Sequence, residues 1–474
     1  MKDLSAKNKH SVQTSTPPGN PDRRDFLKTA GAATAGAMVA STAATSRAND
    51  ANEQLVGAFI GCGGIAHQHR NEIAKLKRCK IAAVCDIDDT RSKRFADFFE
   101  QRLGERPVET REYERVMEMD DVDFVVISTP DHWHAIPTIA ACAAGKDVYV
   151  EKPCCHNIRE GRAMVDAMEK FKRVVQVGTH TRSASQMQDA REFVQAGKLG
   201  QITKTRTFNR TNITPHGMGR VADSSPPPHV DYDRWLGPAP LRPFNRNRFH
   251  GRFRWFFDYA AGLLGDWNVH LQDIVMWTMG TPSPISVSAV GGKYAVQDDR
   301  DTPDTLEVLY EFPGTEMNPQ YVQTYSMTFC HSEYDQNRGK GVGVEFFGTD
   351  GYLYANWDDG WLVKGDPKDR HRKELGQRIE SFEKKGNRHS YGLHMANFLD
   401  CIRSREKPIA TLDSHFNTAI CSHLGNIAMK VGSRIYWDAD QELCFHDREK
   451  TKPHDEANAL LGREAREGYE LPQV

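Results

Sequence analysis

From residue 55 onward, short apolar runs alternate with amphipathic stretches. The runs LVGAFI (55–60), KIAAVC (80–85), DFVVIST (123–129), DVYV (147–150) and VVQVGT (174–179) are almost continuously apolar. Strands covered on both faces have this composition, because helices pack above and below a parallel sheet. Helical stretches fall between them at 64–77, 89–103, 134–144 and 158–171. The order predicts a doubly wound α/β domain over residues 53–180.

After residue 180 the period changes. A helix over 184–196 leads to ITKTRTF, then to a long loop containing SSPPPHVDYDRWLGPAP, and a helix over 264–279 follows. The run TLEVLYEF places Leu306, Val308, Tyr310 and Phe312 on one face and both glutamates on the other. QYVQTYSMTF, VGVEFFG and GYLYA continue that alternation, which predicts a large, mainly antiparallel open sheet with one buried face. Helices over 390–403 and 414–431 complete a second, α+β domain spanning 181–445. The charged tail, 446–474, contains ANALLGREAREGYELP, whose apolar stripe is read as a docking segment for a neighbouring subunit.

The N-terminus follows neither pattern. Residues 1–21 are polar and read as disordered. Arg23 and Arg24 then precede Phe26, Leu27 and Lys28 and a run rich in Gly, Ala and Thr. The run is too weakly apolar for a stable membrane span, and residues 1–48 therefore read as a tail plus a twin-arginine export signal. Ser46 and Ala48 supply a small-residue cleavage site before Asn49. The expected destination is the periplasm, or export by that pathway, with the translocation machinery as a transient partner.

Composition narrows the function. The formal net charge is -2 across 474 residues, and the basic residues are scattered, which argues against nucleic acid or an anionic membrane as main partner. Ten cysteines lack regular spacing and a CxxC pair, so neither a disulfide framework nor a zinc site is expected. His132 and His134 have no third ligand at matching spacing, and no metal is expected.

Four stretches carry chemistry. GAFIGCGGIA sets Gly61, Gly63 and Ala66 between the first strand and helix, with Gly64 and Ile65 inside the turn. Gly61 permits a tight turn, Gly63 lets backbone approach a pyrophosphate, Ala66 permits close helix packing, and the helix N-terminus faces the phosphates. Asp86, 20 residues after Ala66, ends the second strand, where a carboxylate binds a ribose diol and disfavours a 2′-phosphate. The cofactor expected is therefore NAD, with NADP the alternative that nearby Arg91 keeps open. STPDHWH puts Thr129, Pro130 and His134 at the carboxyl edge of the sheet, where ligands bind in such folds. In VYVEKPCC, Glu151 and Lys152 end the next strand at that edge. A desolvated lysine there can hydrogen-bond a reacting oxygen and help move its proton. Finally, YAAGLLGDWNVHLQD spaces Asp266 and His270 at i and i+4, so that a carboxylate one turn away could orient an imidazole base.

Together GCGGIA, STPDHWH, EKP, VQVGTHTRS, YDRWLGPAP, GDWNVHLQD and NFLDCIRSREKP resemble the glucose–fructose oxidoreductase and inositol dehydrogenase (Gfo/Idh/MocA) family, in its secreted branch. The resemblance spans about residues 53 to 460. It implies an N-terminal Rossmann domain and a C-terminal α/β domain, whose open sheet forms a substrate pocket on one side and commonly an oligomer interface on the other, giving a homodimer or homotetramer. It also implies Lys152, Asp266 and His270 as catalytic residues and sugars, polyols or their derivatives as substrates. Arg182, Trp255 and Tyr259, with Asp266 and His270, are the expected sugar contacts. An exported enzyme has no expected supply of soluble cofactor, so the nucleotide should be tightly held. Two reactions fit: paired sugar oxidation and reduction, or glycoside cleavage through transient oxidation. A sugar-binding protein that kept only the fold is the non-enzymatic alternative.

Overall fold

The structure, a computed structural model, describes residues 54–474 except Met317 and residues 332–340, 357–359, 366–373, 375–378 and 387–389. The twin-arginine segment lies outside the described residues.

Six parallel strands form the first sheet: β1 (Leu55–Ile60), β2 (Cys79–Cys85), β3 (Val108–Thr110), β4 (Phe124–Ile127), β5 (Asp147–Val150) and β6 (Val175–Val177). Their order is β3-β2-β1-β4-β5-β6. The chain starts in the middle and winds outward both ways, so β1 and β4 flank the switch point where the connections part. β4, β5 and β6 are buried along their whole lengths, which is why they read as unbroken apolar runs. One face of this sheet is completed from far along the chain. Helix Ser390–Ser404 brings Met395, Phe398 and Leu399 against Phe124 and Tyr149.

The second sheet comprises β7 (Ile202–Arg210), β8 (Ser286–Gly292), β9 (Thr305–Phe312), β10 (Tyr321–Thr328), β11 (Val342–Gly348), β12 (Gly351–Asn356), β13 (Gly360–Gly365), β14 (Phe382–Lys385), β15 (Ile435–Asp438) and β16 (Leu443–Phe445). Its order is β14-β13-β12-β11-β7-β10-β9-β8-β15-β16, antiparallel throughout except where β10 meets β7. Leu306, Val308, Tyr310 and Phe312 are all buried, as the period of two predicts, and helices Asn268–Met279 and Leu412–Val431 lie against this sheet. The Tyr310 hydroxyl donates to the Cys421 carbonyl at 3.0 Å. On the opposite face Val290, Leu309 and Val322 are exposed. All ten cysteines are free thiols, nine of them buried, and the Cys154 and Cys155 sulfurs lie 3.8 Å apart.

The tail departs from expectation. Leu461 is fully buried against its own chain, and its carbonyl accepts the Arg159 N–H at 3.0 Å. Part of its apolar stripe is thus used within the molecule, whereas Leu460 stays exposed.

Candidate active site

A cavity of about 430 Å³ runs from the glycine turn to the N-terminus of helix Asn268–Met279. Gly61, which follows β1, has φ +89, and a Cβ there would lie 2.7 Å from the Ser128 carbonyl carbon. Only glycine fits, because both the conformation and the space exclude a side chain. Helix Gly64–Leu76 starts at once with no side-chain cap, so its first N–H groups are available to an anion. The Asp86 carboxylate closes this end, accepting the Cys62 N–H at 2.7 Å and the Asp88 N–H at 2.9 Å. Burial pushes its pKa up, against the opposing pull of Arg91. This glycine-lined cradle, with a carboxylate at its far side, fits a dinucleotide.

The other end is built by side chains. Lys152 Nζ donates to Asp266 Oδ1 at 2.8 Å and to the Asp266 carbonyl at 2.7 Å, while Arg254 Nε donates to Asp266 Oδ2 at 2.8 Å. Burial pushes the Asp266 carboxyl up, but Lys152 and Arg254 outweigh it and hold it below its usual range. Sequence spacing aims this carboxylate at His270. The structure gives both of its oxygens to cations instead, and the helix itself is interrupted. Helix Gly262–Asp266 ends, Trp267 intervenes, and the next helix begins at Asn268. The His270 N–H donates to the Trp267 carbonyl at 3.2 Å, three residues back, while the Asp266 carbonyl takes the lysine. Lys152 therefore bonds a carbonyl at the helix break as well as the carboxylate.

His270 lines the cavity, its ring 5.3 Å from that of His180. Burial, then the neighbouring Lys152 and His180, hold its pKa well below the ordinary value, so it is neutral near pH 7. Glu151 also faces the cavity, accepting from Lys152 N at 3.1 Å and lying 2.7 Å from His69 Nε2. Burial raises its carboxyl, but the His69 contact wins and the net shift is downward.

The remaining expected residues divide. Gly61, Gly63, Gly64, Ile65, Asp86, Thr129 and Pro130 line the cavity. Ala66 faces the core from within helix Gly64–Leu76. The ring of His134 is buried between the Pro153 and Thr129 carbonyls, at 2.7 and 3.0 Å, and so ties the two loops together. The three expected sugar contacts Arg182, Trp255 and Tyr259 stand outside the cavity lining. Arg182 is locked on Asp273 at 2.6 and 2.7 Å, Tyr259 packs on Trp235, and Trp255 packs on Phe329. Arginines and aromatic rings serve structure as readily as ligands, and these three do so.

Among the cavity residues that the sequence does not single out are Asp131, His180, Arg254 and Tyr391. Asp131 lies inside STPDHWH. Burial and then the Asp266 charge raise its carboxyl well above the usual range. His180 and Tyr391 stack at 3.7 Å across 211 positions of chain, which no local pattern reveals.

Residues 56–179 match the family model described as "Oxidoreductase family, NAD-binding Rossmann fold", and residues 184–311 match "Oxidoreductase family, C-terminal alpha/beta domain". Residues 20–40 match the twin-arginine translocation signal, which marks the chain for export by that pathway. The chain is similar to a "Glycosyl hydrolase family 109 protein" of Shewanella baltica, 30% identical over 172 residues, covering 32% of this chain and 38% of that protein. The match thus spans well under half of that relative's length. Among solved structures, a levoglucosan dehydrogenase in complex with NADH superposes with a TM-score of 0.59 at 18% identity, over 81% of this chain and 98% of that one. An aldose-aldose oxidoreductase from Caulobacter crescentus, complexed with glycerol, gives 0.58 at 18% identity, over 81% and 100%. These two share the fold. The two family models match in order and together span more than half of the chain, and the protein belongs to the Gfo/Idh/MocA family of NAD-binding oxidoreductases.

Proposed function

We propose that this protein is an exported oxidoreductase acting on a carbinol carbon of a sugar, polyol or sugar derivative. One observation carries the reading: the Lys152–Asp266 pair, 2.8 Å apart, shares a cavity with the glycine turn and with His270. Bound nicotinamide would supply the hydride chemistry. Lys152 donates a hydrogen bond to the reacting oxygen, and Asp266, ionised by its two cationic partners, steadies the ammonium. His270, held neutral, accepts the hydroxyl proton. Glu151, anchored by His69, fixes the strand end that presents the lysine. Asp86 favours NAD over NADP, because a 2′-phosphate would face its carboxylate.

Export shapes the cycle. Outside the cytoplasm the nucleotide is held tightly and must be restored in the same site. We place the folded protein in the periplasm as a homodimer or homotetramer, with carbohydrate as its ligand. Similarity to the glycosyl hydrolase family 109 protein favours a second reading, in which transient oxidation cleaves a glycoside and the hydride returns. To test this, the purified protein would be denatured and the released nucleotide identified by mass spectrometry, and the intact protein offered sugars and aryl glycosides. Near-stoichiometric NAD with oxidised sugar supports the first reading, and NAD with released phenol and free sugar supports the second. A protein that carries and binds neither nucleotide would overturn both.

A further inference from the structure

The C-terminal tail grips two segments that wall the nucleotide end of the cavity. Arg463 Nη2 donates to the His132 carbonyl at 2.9 Å and pairs with the buried Glu160 carboxylate at 2.7 Å. Arg466 Nε donates to the Gly237 carbonyl at 2.9 Å, and its two other nitrogens hold Asp233 through side chain and carbonyl at 2.5 and 2.9 Å. Tyr469 then meets the Trp133 ring edge-on, centroids 5.6 Å apart. His132 and Trp133 lie in the loop after β4, whereas Asp233 and Gly237 bracket Trp235 about a hundred residues later. The two segments are joined directly too, since Trp133 Nε1 donates to the Trp235 carbonyl at 2.9 Å. Trp133 and Trp235 both line the cavity, together with Arg234 and Asp86.

Neither arginine reaches the cavity itself. Each holds backbone carbonyls at the foot of a tryptophan, in charge-assisted contacts that are about twice as strong as neutral ones. Arg463 also neutralises a carboxylate that burial otherwise disfavours. The last strand of sheet and the last long helix are complete before residue 455, so these contacts add to a fold already formed.

We propose that Arg463 and Arg466 are positioning residues, which clasp the Trp133–Trp235 wall and thereby slow escape of the bound nucleotide. The inference rests on the reading above that NAD occupies the cavity. It gives the tail a task suited to an enzyme that cannot draw on a cytoplasmic pool.

The test uses the full-length protein stripped of nucleotide and reloaded with NADH, its dissociation followed by displacement. In Arg463→Ala and Arg466→Ala the dissociation rate should rise about tenfold or more, the scale set by losing a hydrogen bond to a charged group. Arg463→Lys, which keeps the charge opposite Glu160, should recover part of the loss. Tyr469→Ala removes the ring contact and spares both ion pairs, so it remains informative if an arginine variant fails to fold, and it too should speed release. Unchanged NADH dissociation in folded Arg466→Ala and Tyr469→Ala would overturn the clasp while leaving the cofactor reading intact. A wild-type protein that binds neither NADH nor NADPH would remove the cofactor reading, and the clasp with it.

Discussion

The two ends of the cavity are made differently. At the glycine end, Asp86 is held by backbone N–H groups of Cys62 and Asp88, all within one βαβ unit. At the lysine end, Lys152, Arg254 and Asp266 converge from two domains, with His180 and Tyr391 brought from farther still. A backbone cradle binds anything with the right phosphate geometry and is indifferent to most side chains. A side-chain cluster depends on each member, because two cations and a carboxylate balance one another out of water.

That contrast can be broken first at the lysine. Lys152→Met should cut turnover of any accepted substrate by about 10³-fold, while the nucleotide content read after denaturation stays near that of wild type. Turnover at the wild-type rate would end its assignment. The reverse separation comes from Gly61→Ala. A side chain at φ +89, 2.7 Å from the backbone of Ser128, should weaken NADH binding by about tenfold or more and cost about 1–3 kcal/mol of stability, measurable by titration and thermal melting. Smaller is the effect of Arg254→Gln, about tenfold in rate. Its signature lies in pH: with one cation gone the Asp266 carboxyl rises, so the acid limb of the rate profile should move to higher pH. An unmoved limb would mean that Asp266 ionisation does not govern the rate.

A last probe uses three buried histidines, of which His180 lines the cavity. Burial depresses His132 and His180 to about 3 and His394 to about 4. Each stays neutral in the folded protein but takes up a proton on unfolding below its ordinary value of about 6.5. Their contribution is fully present above that pH and is lost as pH falls toward 4, by about 1.4 kcal/mol per pH unit for each histidine. Urea midpoints between pH 7 and 4.5 should therefore fall steadily, and a flat profile would contradict the buried neutral state.

Legibility in the sequence followed the same division. The parallel sheet and the glycine turn were readable because their signals are local: apolar runs, a glycine spacing, an aspartate at a strand end. The strands β3, β8 and β13 to β16 went unread, being three or four residues long or, like SVSAVGG and GWLVKG, rich in glycine. At the site, Lys152 and His270 were found through motif and resemblance. The bond from Arg254 to Asp266 was invisible, since no periodicity links a 3₁₀ turn to the end of a five-residue helix. Trp267 illustrates the limit well. An i, i+4 spacing assumes an unbroken helix, whereas here the helix is interrupted at Trp267 and the Asp266 carbonyl accepts from the lysine.

The reduced, buried thiols have one more consequence. In a chain marked for export, nine of the ten cysteines are buried, Cys330 is only partly covered, and Cys154 and Cys155 lie side by side unjoined. In oxidising surroundings their survival depends on never being opened. Should the molecule unfold there, sulfurs that have no native bridge would find one another, and the way back would close. In such surroundings the lifetime of the fold is therefore governed by how slowly it unfolds.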